Sequence, residues 1–194
     1  MKPLISIITI FLLISSCRKS DNLETITVPA FLKQMVPYID SQVVRFKNNS
    51  GNIITSIVSV KHEYIERTSC ATCEVYLREE FIRYNLMAGS MPFVQLSIDN
   101  RPYISLFIFS PDNGYQSGLG FNFSTMQGVA EPNCNTGRQT CLDSVIINGV
   151  TYYDVLEIDS GVTANDQLSK AYYTINKGLV GFRYGSGITY GLLE

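Results

Sequence analysis

From residue 43 onward the chain alternates between apolar and polar positions in runs separated by turn-formers, and a period of two places alternate side chains on one face of a strand. Val43–Lys47, Ile53–Arg67, Glu74–Leu86, Phe93–Ile98, Tyr103–Phe109 and Leu119–Phe123 follow this pattern. Within Ile53–Arg67, residues Ile54, Val58, Val60 and Tyr64 share one parity, with Ser56 and His62 between them. Asn48–Asn52 and Asp99-Asn100 predict turns. Asn148-Gly149, between Val145–Ile147 and Val150–Ile158, is the strongest hairpin signal, because both turn positions require positive φ. Ala171–Asn176, Leu179–Tyr184 and Ile188–Leu193 close the chain, separated by Lys177-Gly178 and Gly185-Ser186-Gly187. Only Phe31–Val36, stopped by Pro37, suggests a helical turn, and residues 111–118 and 126–141 read as loops. About ten or eleven strands at this spacing predict an all-β fold, an antiparallel sandwich or closed barrel. A membrane-spanning barrel fits poorly: Arg78, Glu79, Glu80 and Arg83 crowd a strand where a lipid-facing band belongs.

The N-terminus has a different pattern. Lys2 precedes Leu4–Leu13, which is almost wholly apolar, and Ile14-Ser15-Ser16-Cys17 follows. A charged start, a short apolar core and small residues before a cleavage point predict a secretory signal. The run falls short of the roughly 20 residues that cross a bilayer. Ile14–Cys17 resembles the lipobox of bacterial lipoproteins. The resemblance implies lipid attachment at Cys17 and cleavage before it, and stable anchoring takes more than one acyl chain. It divides the chain into a signal peptide (residues 1–16), a lipidated cysteine with its tether (17–28) and one β-rich domain (29–194). Arg18, where Asp would retain such a protein in the inner membrane, points to the outer membrane, facing periplasm or exterior. Arg18-Lys19-Ser20-Asp21 is faintly like the tether of surface lipoproteins in Bacteroidota.

Composition adds bounds. Without the signal, loss of Lys2 takes the net charge from −2 to −3. No basic patch suggests nucleic acid. Ile, Val, Thr, Tyr and Phe are frequent and favour strands. Four cysteines besides Cys17 remain: Cys70, Cys73, Cys134 and Cys141. An even count in an exported chain argues for two disulfides. Local pairing, Cys134–Cys141 and Cys70–Cys73, is the preferred arrangement, and crossed pairing between the two groups is the alternative. A redox centre at Cys70–Cys73 wants a helix N-terminus that strand-like flanks do not provide. A four-thiolate zinc site wants two closely spaced pairs. No metal or other cofactor is expected.

Candidates for chemistry are few, and no catalytic residue is assigned. His62 is the only histidine, and no nucleophile-elbow motif accompanies it. Glu79 and Glu80 are adjacent, so on a strand they point apart, and Glu80 shares a face with Arg78 and Tyr76, as expected of a cross-strand ion pair. Asp154, Glu157 and Asp159 are candidate glycosidase carboxylates only if others converge on them. Gly118-Leu119-Gly120 and Gly185-Ser186-Gly187 read as turn glycines. Tyr152, Tyr153, Tyr172 and Tyr173, with Tyr115, are the candidate face for a sugar or peptide.

The stretch Ile147–Val155 and the closing segments Tyr172-Tyr173, Lys177–Phe182 and Gly187–Tyr190 are similar to late hairpins of small Bacteroidota lipoproteins. That resemblance implies a β-rich exported domain and carries no activity. The expectation is a lipid-anchored, non-enzymatic binding or accessory module of the cell envelope, with an envelope protein or an extracellular glycan or peptide as partner. A hydrolase of such polymers and a purely structural lipoprotein are the alternatives.

Overall fold

The computed structural model describes residues 23–68, 75–109, 116–126, 129–134 and 137–193. Cys17, Cys70, Cys73 and Tyr115 lie outside them. The fold is all-β. Strands β2 (Val43–Asn48), β3 (Ile53–Thr68), β4 (Val75–Ala88), β5 (Met91–Ile98), β6 (Tyr103–Phe109), β7 (Gln116–Met126) and β8 (Val129–Pro132) form one meander. A second contains β9 (Gln139–Ile147), β10 (Val150–Asp159), β11 (Leu168–Thr174), β12 (Gly178–Tyr184) and β13 (Thr189–Leu193). Pairing of β13 with β2 joins them into a nearly closed antiparallel barrel of 12 strands, in the order β8 to β2, then β13 to β9.

Alternation decides which way each strand faces. Val44 and Phe46 point in while Val43, Arg45 and Lys47 are exposed, and Ile104, Leu106 and Ile108 of β6 are likewise buried. Inside, Phe93 of β5 meets Phe182 of β12 at 5.6 Å between ring centroids, and Phe182 stacks on its cross-strand neighbour Tyr190 at 4.9 Å. A register shift at Phe93, the extra residue between the paired Pro92 and Val94, lets it be buried together with Val94. The outside of β3 to β5 carries Thr55, Ser59, Lys61, Arg83 and Gln95, none of them buried.

Three departures from the sequence pattern follow from contacts distant in sequence. First, part of the expected tether is structured. Strand β1 (Glu24–Ile26) pairs in parallel with Leu77–Glu79 of β4, and Val28 is buried. The short helix α1 (Ala30–Lys33) follows, and Leu32, Met35 and Tyr38 enter the main core. Tyr173 donates to the Met35 carbonyl, and the Leu179 N–H donates to the Tyr38 hydroxyl at 2.9 Å. The segment therefore runs from β4 to the β11–β12 turn and covers one end of the barrel.

Second, the expected loop over 111–118 is strand from Gln116, because aromatic rings of β6 cover the β7 glycines. A Cβ on Gly120 would lie 1.6 Å from the Tyr103 hydroxyl, and one on Gly118 2.9 Å from the Phe107 ring. Aromatic cover of this kind lets glycine sit within a strand. Third, the expected loop over 126–141 contains β8, a short edge strand ending at Pro132, where a missing N–H is tolerated, and the start of β9.

Between β7 and β9 the closure is made by side chains. Gln139 is buried. Its amide accepts from the Asn122 N–H at 2.8 Å and donates to the carbonyls of Asn122 at 2.8 Å and Asn133 at 3.0 Å. One side chain thus supplies both halves of a ladder rung. Beside it, Cys134 and Cys141 are joined by a disulfide, with Cα atoms 5.2 Å apart.

Candidate functional site

The β9–β10 hairpin carries the tyrosines of interest, and its shape depends on Asp154. This residue adopts a left-handed φ of 53°. Such a φ is uncommon outside glycine and tolerated best by Asn and Asp. It breaks the strand's alternation: Tyr152 and Val155 face one way, and Leu156 and Ile158 enter the barrel core. The hairpin tip leaves the sheet and folds over the outer faces of β12 and β13. There Ile147, Tyr152, Val155, Tyr172 and Val180 form a second small core. Gly181 and Gly191 permit the approach, since a Cβ at either would meet Ile147 within 2.9 Å. Asn148 fixes the tip, donating to the Lys47 carbonyl at 2.8 Å.

The four tyrosines expected to form one face are separated, because neighbours on a strand point to opposite sides. Tyr173 lies inside the barrel, fully buried, and burial raises its hydroxyl pKa well above the ordinary value. Tyr172 is under the hairpin. Tyr152 is also buried and donates to the Leu192 carbonyl at 2.8 Å. Only Tyr153, 69% exposed, presents its ring to solvent. Tyr152 and Tyr153 nevertheless meet at one cleft of about 400 Å³ between the bent hairpin and the β11–β12 turn. Thr151, Asp154, Thr174, Asn176 and Lys177 add polar groups to the lining, and Pro132, Leu156 and Ile175 add apolar ones. The Lys177 ammonium lies 5.7 Å from the Tyr152 ring centroid. The cleft combines an exposed aromatic ring, hydroxyls, an amide and one carboxylate, Asp154.

The other acidic candidates are all engaged by cations or hydrogen-bond donors. Glu157 takes the Lys170 ammonium at 2.8 Å, and the same ammonium lies 3.4 Å from Asp159. The Gly161 N–H, opposed by burial and aided by Lys170 and Arg138, holds Asp159 below its ordinary value. A second cleft of about 470 Å³, at β4 to β6, contains Glu79 and Asp99. Glu79 pairs with Arg67 at 3.0 Å, and Asp99 pairs with Arg101.

Glu80 is the one buried carboxylate among the described residues. It accepts from His62 Nδ1 at 2.8 Å, the Val28 N–H at 2.9 Å and Lys33 at 3.5 Å. Burial pushes its pKa up, but the His62 and Val28 hydrogen bonds and the Lys33 charge outweigh that and hold it below the ordinary carboxylate value. A general acid needs the opposite shift. Cross-strand pairing was expected on this face, and Glu80 takes His62 of β3. Arg78 pairs with Glu66 at 2.7 Å. Sequence alternation indicated the face of Glu80 but carried no signal that α1 would deliver Lys33 to it. No group of three or more potential metal ligands occurs among the described residues.

Comparison with known proteins adds no relative: no family model, curated sequence or solved structure matches the chain.

Proposed function

We propose that this chain is a lipoprotein of the bacterial cell envelope, anchored through Cys17 in the outer membrane, whose barrel is a non-enzymatic binding or accessory module. The observation that carries the binding reading is the cleft at Tyr152 and Tyr153. It offers a solvent-facing ring beside hydroxyl, amide and ammonium groups, a lining suited to stacking on a sugar or clasping an extended peptide. A glycosidase needs two convergent carboxylates, one with a raised pKa. This cleft contributes one carboxylate, and the Glu157–Asp159 pair shares a lysine.

Binding is tested with arrays of envelope and extracellular glycans and of unfolded peptides, probed with wild type and Tyr153→Ala. Retention of one ligand class, weakened about tenfold or more by the substitution, supports the reading. Equal binding by both proteins, or none by either, rejects it. Anchoring is tested by palmitate labelling: label should be lost in Cys17→Ser, and label that persists refutes the assignment.

A further inference from the structure

The β3–β4 hairpin extends beyond the barrel wall. Strand β2 accompanies β3 only as far as Val43–Ile57, and β5 leaves β4 at Ile98–Ile82, yet β3 and β4 stay paired out to Thr68 and Val75. Beyond that point β1 takes the place of β5 beside β4. Each face of the projection exposes a large side chain. Neighbours Tyr64 and Ile65, which point to opposite sides, are 48% and 50% exposed, and Leu23 at the head of β1 is 44% exposed. Its charges are largely paired across strands: Glu66 with Arg78 at 2.7 Å, Arg67 with Glu79 at 3.0 Å and Glu63 with Arg83 at 3.1 Å. Arg78 also lies over the Tyr64 ring, 5.3 Å from its centroid.

We infer that this projection is the membrane-contacting end of the domain, resting in the headgroup layer of the bilayer that holds Cys17. The inference rests on the lipid anchor proposed above. Chain length commits the occupant. Leu23 is six residues after Cys17, and six residues span at most about 20 Å even fully extended. Strand β1, locked to β4 by its ladder and by the Val28–Glu80 bond, therefore holds the projection beside the acyl chains. Its chemistry suits that layer. Tyrosine is an interfacial residue, isolated aliphatic side chains reach the acyl boundary, and arginines extend toward headgroups. Pairing of Glu66 with Arg78 and of Glu79 with Arg67 offsets the charge of these two acids next to anionic lipid.

The protein has no tryptophan, so a single introduced one is an unambiguous reporter. Full-length lipidated Ile65→Trp and, separately, Tyr64→Trp are placed in phosphatidylethanolamine–phosphatidylglycerol vesicles containing brominated phosphatidylcholine. Ile146→Trp, at a 71% exposed position on the folded hairpin, is the comparison. Residues at the interface lie within roughly 5–10 Å of the acyl boundary. Emission from position 65 or 64 should therefore shift to the blue and lose on the order of half its intensity to bromine, while position 146 stays unquenched. Flotation of the wild type is measured in the same vesicles. A wild type that floats while the three reporters behave alike overturns the orientation and leaves the anchor standing. A wild type that does not float overturns both.

Discussion

Replacing Gln139 by Leu tests whether one side chain closes the barrel. Leucine keeps most of the volume and removes both polar ends of the amide. Three hydrogen bonds disappear, at 2.8, 2.8 and 3.0 Å. A buried group left without its partner costs about 1–3 kcal/mol. Asn122 is exposed and Asn133 half-buried, so water recovers part of each bond. The expected loss is therefore about 2–3 kcal/mol rather than the full sum. Urea unfolding followed by tyrosine fluorescence gives the free energy, and amide exchange at Asn122 shows whether the loss is local. Gln139→Glu sharpens the test: its carboxylate can still accept from the Asn122 N–H but faces two carbonyls it cannot donate to, so it should be at least as destabilising near pH 7. A Gln139→Leu protein within about 0.5 kcal/mol of wild type, with unchanged exchange at Asn122, would show that the closure does not depend on this rung.

Glu80→Gln removes a carboxylate whose folded pKa is depressed. The stability it contributes is present above the ordinary carboxylate range and lost as pH falls through the lower folded value, so the wild-type advantage in urea should shrink below about pH 4.5; an advantage that grows on acidification refutes the assignment. Double replacement of Cys134 and Cys141 by Ser opens an eight-residue loop and should cost about 2.5 kcal/mol in the chain-entropy model, with no change where the wild type is measured under full reduction. Gly185→Ala places a Cβ 2.1 Å from the Ala164 carbonyl oxygen, a backbone group that cannot swing aside, and should lower thermal stability. Gly120→Ala meets only the movable end of Tyr103 and should cost less.

Most strands were legible in the sequence because each is specified by its own alternation, as in Ile104, Leu106 and Ile108. Asn148-Gly149 marks its turn as expected, with positive φ at both positions. What alternation did not carry are features set by a distant partner. Strand β1 exists because β5 ends early and leaves part of β4 unpaired. Gly118 and Gly120 read as turn residues until Phe107 and Tyr103 cover them. The tyrosine cleft depends on the bend at Asp154, which a local reading treats as one more polar strand position. Without that bend Tyr152 and Tyr153 are merely alternating residues, and the separation of Tyr172 from Tyr173 has no visible consequence.

The position of β13 bears on how the chain is made. Among the described residues it is the only ladder between the two meanders, and it pairs Arg45–Asn48 with Tyr190–Leu193. Closing a loop of that length costs about 4 kcal/mol of chain entropy before any rung rewards it. A ribosome or secretion channel releasing the protein from its N-terminus thus delivers two separate half-sheets first, and the wall between them is completed only when the last strand emerges. A chain that cannot finish folding early remains threadable, a property that the export proposed above would require.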